Sequence, residues 1–169
     1  MRIIQSVLLT HTRFYWKVKR RLRRWYLSCV LDRIGENCSF ADGVIITDPE
    51  YTSIGSRVII NEGVILLTFN PEATITIGDD VTISYGVNII TGGLDISDGV
   101  DHRKHTTKSV VIEDNVWIGA KSIVLSGITV GKGSVIGAGS VVTRDVPPHT
   151  LVCGVPARSV RQLTEKQDF

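Results

Sequence analysis

Apolar residues recur along this chain at every sixth position. From Ile112 onward the sequence divides into IEDNVW, IGAKSI, VLSGIT, VGKGSV, IGAGSV and VTRDVP, and each block opens on an aliphatic: Ile112, Ile118, Val124, Val130, Ile136 and Val142. Four places on stands a small or β-branched residue, as at Val116, Ser122, Ile128, Ser134, Ser140 and Val146. The same phase holds upstream, with blocks opening at Ile34, Phe40 and Ile46, at Ile54, Ile60 and Leu66, and at Ile77, Ile83 and Ile89. A period of six does not match the 3.6 residues of an amphipathic helix, and an antiparallel sandwich would not need so strict a six-fold phase. It predicts a parallel β-helix of about five triangular coils, each block supplying a short strand and a corner. The opening aliphatic points inward and the residue four places on fills the space beside it. Stacked coils cover one another's edges, and each buried aliphatic contributes roughly 1.5–3 kcal/mol. Gly in second place, as at Gly119, Gly131 and Gly137, is expected at corners where the backbone turns tightly.

The phase breaks in two places. About five extra residues, around Asn70 to Ala73, separate the second and third coils. A longer insertion, roughly Gly92 to Ser109, leaves the solenoid and returns at Val110. A loop of that length in so tight a scaffold is usually functional. The chain therefore divides into an N-terminal segment (1–33), the β-helix (34–156, with its external loop at about 92–109) and a tail (157–169). Residues 2–28 read as helix and carry Arg13, Lys17, Lys19, Arg20, Arg21, Arg23 and Arg24 among Phe14, Trp16, Trp25 and Tyr26. This is either a basic amphipathic surface for peripheral contact with anionic lipid or a helical cap over the first coil. The stretch from Ala157 to Gln167 is expected to form a short helix after Pro156.

Composition changes this picture little. The 169 residues suit one domain, and 43% hydrophobic with 21% charged residues is a globular balance. A net charge of +2 gives no bulk preference for nucleic acid, and none is expected as a partner. Cys29, Cys38 and Cys153 show no disulfide or metal spacing and read as small hydrophobes in a reducing compartment. No apolar run approaches the roughly 20 residues that span a bilayer, and the first ten residues lack a signal peptide's long apolar region. A cytoplasmic protein is expected.

Candidate chemistry gathers in the long loop. His11 and His149 read as structural or surface residues, but His102 and His105 stand together in GVDHRKHTTK. Imidazole, with an ordinary pKa near 6.5, is the usual general base at neutral pH. No third His, Cys pair or HExxH run accompanies them, so no metal site is assigned. Walker loops and nucleophile elbows are absent, and the Gly spacing follows the six-residue phase instead of a dinucleotide fingerprint.

The run VVIEDNVWIGAKSIVLSGITVGKGSVIGAGSVVTRDVPPHTLVCGVPARSV resembles the C-terminal signature of hexapeptide-repeat acyltransferases. It is most similar to galactoside and maltose O-acetyltransferases and to enzymes that acetylate bacterial surface polysaccharides. The resemblance is close from about Thr74 to Arg161 and weak before Ile34. It implies a left-handed helix, a homotrimer with active sites between subunits, and acetyl-CoA as donor. The implied CoA-binding positions are Trp117, Gly119 and Ala120 in NVWIGA, Ala138 in GAGSVV, Thr143 and Arg144 after it, Arg158 in GVPAR, and Arg161. Small residues let the thin pantetheine arm lie on the backbone, and guanidinium groups suit phosphates. Asn61 and Asp95 fall at implied acceptor-binding positions. The implied mechanism is direct transfer: a His takes the acceptor hydroxyl's proton as it attacks the thioester, and a backbone amide holds the oxyanion.

This chain departs from that pattern at one position. Relatives carry the catalytic His in a context such as TGGHD, where this chain reads TGGLD, with Leu94 in the His position. Some acyltransferases of the superfamily place the base later, in a context like GVDHR, which favours His102 and then His105. Three other readings stay open. One is a serine or amino-sugar acetyltransferase, since VPPHT…GVPAR is also similar to serine acetyltransferases. Another is a catalytically silent β-helix serving assembly. The last is a γ-carbonic-anhydrase-like metalloenzyme, which needs three metal-binding His.

Overall fold

A computed structural model describes residues 22, 25–69, 72–95 and 105–164. The coils expected from the six-residue phase are there, wound into a left-handed parallel β-helix of three faces. The first face stacks the strands Arg33–Ile34, Thr52–Ile54, Ile75–Ile77, Val110–Ile112 and Thr129–Val130. The third stacks Ile45–Ile46, Ile65–Leu67, Asn88–Ile90, Ile123–Val124 and Val141–Val142. The second runs from Ser39–Phe40 through Ile59–Ile60, Thr82–Ile83, Trp117–Ile118 and Val135–Ile136 to Thr150–Gly154.

Register follows the phase: Ile54 pairs with Ile77, Ile77 with Ile112, and Ile112 with Val130. The opening aliphatics from Phe40 onward line the interior, and all but Ile46 are at most 5% exposed. Ile34 and Ile46 are half-buried because they sit in the first coil, where the prism has an end. Leu27, Val30 and Leu31 of the N-terminal segment pack on that end, and residues 25–30 are helical. The rest of the basic segment up to residue 21 lies outside the described residues.

The corners correct the reading of the glycines. Second-place Gly119, Gly131 and Gly137 do not have positive φ. They are Gly because coils stack so closely there: a Cβ on Gly119 would lie 2.5 Å from the Ala138 nitrogen and 2.7 Å from the Ile136 oxygen. The tight turn falls instead at fourth place, where Asn37, Gly43, Arg57, Gly63, Asp80, Gly86, Asn115, Lys121, Gly127, Gly133 and Gly139 all adopt positive φ. Gly and Asn tolerate that region and Arg57 and Lys121 do so at a cost. Fifth-place serines remain buried because their hydroxyls are satisfied: Ser122 and Ser140 donate to the Gly137 carbonyl at 2.9 and 2.6 Å, and Ser134 to the Pro147 carbonyl at 2.7 Å.

The tail is a second correction. The expected helix from Ala157 is a strand, Ala157–Gln162, antiparallel to Thr150–Gly154 with Cys153 opposite Arg158 and Leu151 opposite Arg161. The last coil leaves an open edge on the second face, and the returning strand occupies its hydrogen-bonding groups.

Candidate active site

The external loop leaves the solenoid as a β-hairpin. Gly92–Leu94 pairs antiparallel with His105–Thr107, with Gly92 opposite Thr107 and Leu94 opposite His105. Ser126 ties its two legs to the next coil. The Ser126 hydroxyl donates to the Thr91 carbonyl at 2.6 Å and accepts the Lys108 amide at 3.1 Å, while that amide also reaches the Thr91 carbonyl at 3.0 Å. The hairpin is thus rooted on the corner between the third and first faces.

Side chains alternate across a strand, so Gly92, Leu94 and their partners Thr107 and His105 share one face of the hairpin. Phe69, from the corner one coil earlier, lies against Gly92, where a Cβ would come within 2.5 Å of its ring. Phe69, Gly92, Gly93, Leu94, His105, Thr106 and Thr107 line an open cleft of about 590 Å³. His105 is exposed at its wall. His102 lies outside the described residues, and Asp95, half-buried, follows the hairpin's outgoing strand.

The other sequence-derived positions fall on two separate edges. Thr143 and Arg144 stand on the same corner as the hairpin, for the Leu125 amide beside Ser126 bonds to the Val142 carbonyl. Arg144 and Arg158 line a smaller cleft of about 150 Å³ at the C-terminal end, with Asp145 and Ser159. Arg161 is exposed on the returning strand. Gly119, Ala120 and Ala138 occupy the opposite corner, between the second and third faces, where the Gly139 amide bonds to the Ala120 carbonyl. Asn61 stands on that opposite corner too; its amide donates to the Ile83 carbonyl at 3.0 Å, and it lines a third cleft of about 400 Å³ with Asp42 and Glu62. Trp117 projects from the second face, 56% exposed, its indole N–H donating to the Ser84 hydroxyl at 3.0 Å. One protomer therefore unites His105, Phe69 and Leu94, and Arg144 with Arg158, but holds Asn61, Ala120 and Ala138 apart from them.

Phe69 and Ser126 were not singled out from the sequence. A signal existed for the first: Phe69 fills fourth place in its block, where other corners carry Gly, Asn, Asp, Pro or a basic residue. No group of three or more His, Cys, Asp or Glu able to hold a metal occurs among the described residues.

The family model for the hexapeptide repeat of succinyl-transferase matches residues 109–144. The galactoside O-acetyltransferase of Lactococcus lactis is 36% identical over 148 residues, covering 85% of this chain and 68% of its own. The chain belongs to the hexapeptide-repeat acetyltransferases. The galactoside O-acetyltransferase of Escherichia coli is 34% identical over 72% of this chain, which spans only 62% of that enzyme. A hexapeptide-repeat acetyltransferase of Vibrio cholerae, solved in complex with acetyl coenzyme A, superposes with a TM-score of 0.78 at 33% identity, covering 86% of this chain and 78% of its own.

Proposed function

We propose that this protein transfers an acetyl group from acetyl-CoA to a sugar hydroxyl, with an imidazole of the external hairpin as general base. The observation that carries this reading is the cleft that sets His105 beside Leu94, the position at which relatives place their His. The imidazole nitrogen accepts the acceptor's hydroxyl proton while that oxygen attacks the thioester carbonyl. A backbone N–H of the corner holds the oxyanion. The tetrahedral adduct then collapses, the C–S bond breaks, and the imidazolium returns its proton to the CoA sulfur. No acyl-enzyme is formed and no metal takes part.

The residues present suit the donor. Ala120 and Ala138 leave one corner without bulk for a pantetheine arm, and Arg144 and Arg158 at the C-terminal end present guanidinium groups to phosphates. The separation of Asn61, Ala120 and Ala138 from His105 and Arg144 supports a homotrimer in which the corner of one subunit completes the cleft of the next. Calorimetry with acetyl-CoA tests the donor. Micromolar binding that weakens with added salt supports the reading, and no binding at millimolar CoA removes it, leaving the silent scaffold in its place.

The acceptor is proposed to be a glycan precursor of surface polysaccharide or lipopolysaccharide, met at the cytoplasmic face of a membrane. Leu22, Trp25, Tyr26 and Cys29 recur at three- and four-residue spacing, all exposed, beside Arg20, Arg21, Arg23 and Arg24 in the sequence. Aromatic side chains with flanking cations suit an anionic interface. No helix among the described residues is long and apolar enough to cross a bilayer. Flotation with phosphatidylglycerol vesicles, lost at high salt and absent with phosphatidylcholine alone, is the expected behaviour.

A further inference from the structure

We infer that Phe69 is the acceptor platform of this site, and that the acceptor is a hexopyranoside laid on its ring by a C–H face. The inference deepens the acetyltransferase reading and rests on it for the identity of the cleft. Phe69 is 59% exposed although it is a large apolar residue on a polar corner. It is not a loose side chain, because its ring lies against Gly92 at a distance that any Cβ there would violate. Leu94, 39% exposed, supplies a second apolar surface on the same side of the hairpin.

Spacing selects the ligand. Gly92 and Leu94 are two residues apart on one strand, so their side-chain positions are separated by about 7 Å. The imidazole of His105, directly opposite Leu94, therefore stands about one sugar ring beyond the Phe69 ring. A pyranose stacked on Phe69 places a ring hydroxyl toward His105 while its C–H face covers the aromatic carbons. Aromatic rings attract such polarised C–H groups through the negative face of their π-systems. Serine or a short linear amine has no such face to offer, so this arrangement favours a cyclic acceptor over the amino-acid alternative.

The test measures sugar binding without turnover. Saturation-transfer NMR on the full-length protein, with methyl β-galactopyranoside, methyl α-glucopyranoside and methyl N-acetyl-β-glucosaminide as probes, maps which sugar protons touch it. The expected result is saturation concentrated on the C–H protons of one ring face, with affinity falling about tenfold in Phe69→Ala and surviving in Phe69→Trp. Gly92→Ala, which evicts the ring from its seat, is expected to reproduce Phe69→Ala while leaving acetyl-CoA affinity unchanged. Equal binding by wild type and Phe69→Ala, or no saturation of any pyranoside, overturns the proposal. Sugar binding through Phe69 in a protein that fails to bind acetyl-CoA would sustain the platform and sink the acetyltransferase reading.

Discussion

Leu94 and His105 face one another across the external hairpin, so Leu94, which stands where the resemblance implies a His, has an imidazole as its direct cross-strand partner. Opposed side chains on an antiparallel pair stand about 5 Å apart at Cβ. In the proposed mechanism a proton acceptor displaced by that distance serves the same cleft from the other strand. Replacing His105 by Ala is expected to lower kcat about 10²- to 10⁴-fold with acetyl-CoA affinity intact. The double variant Leu94→His with His105→Ala, which carries the imidazole back across the hairpin, is expected to recover part of that loss. Full turnover in His105→Ala would pass the role to His102, and full turnover in both His105→Ala and His102→Ala would end the general-base mechanism.

Ser126 holds both legs of that hairpin through two hydrogen bonds at 2.6 and 3.1 Å. Ser126→Ala loosens the hairpin's root locally and leaves untouched the stacked coils whose cooperative melting sets Tm. Its expected signature is a fall in kcat larger than any change in acetyl-CoA KM, with Tm nearly unchanged. Ser126→Thr, which keeps the hydroxyl, is expected to restore kcat. A matched fall in melting temperature and kcat would assign Ser126 to stability alone.

The solenoid was legible because its code is local: Ile54, Ile77 and Ile112 each open a block, and each points inward by the same rule. Its ends and corners were harder to read. Arg158 and Arg161 are spaced as on a helix face, yet the open edge of Thr150–Gly154 drew Ala157–Gln162 into a strand, a tertiary demand overriding local pattern. The pairing of Leu94 with His105 was equally hidden, since eleven positions of chain separate them and their register is set by Ser126 and the corner beneath. Asn61 was matched by resemblance, but its distance from the hairpin's cleft is a consequence of which corner it occupies, which sequence phase alone does not relate to a neighbouring subunit.

Gly119 and Gly139 separate two reasons for glycine. Ala at Gly119 places a methyl 2.5 Å from backbone of the next coil, and a stacked backbone cannot retreat as a side chain can. The cost is that of overpacking, about 1–3 kcal/mol. Gly139 has open space around it and φ of +69°, so Ala there meets only the left-handed backbone penalty of about 1 kcal/mol. Thermal denaturation is expected to rank Gly119→Ala below Gly139→Ala; the reverse order would mean that coil spacing yields more readily than a corner turns.

Arg57 and Asp80 occupy the same corner of successive coils and form a two-pronged ion pair, with both nitrogen–oxygen distances 2.6 Å. The hydrogen bond from Arg57 holds the Asp80 carboxyl below its ordinary range, and the guanidinium is correspondingly harder to deprotonate. A carboxyl whose folded value is depressed contributes stability above its unfolded value, and loses it as pH falls through the folded one. The contribution is small because both groups are exposed. It is present in full above about pH 4 and fades below it. Arg57→Asn keeps a residue tolerant of the left-handed corner while removing the pair. Its Tm is expected to fall slightly at neutral pH and to converge on wild type in acid. A deficit that persists unchanged below pH 4 would show that Arg57 acts through its backbone conformation and not through Asp80.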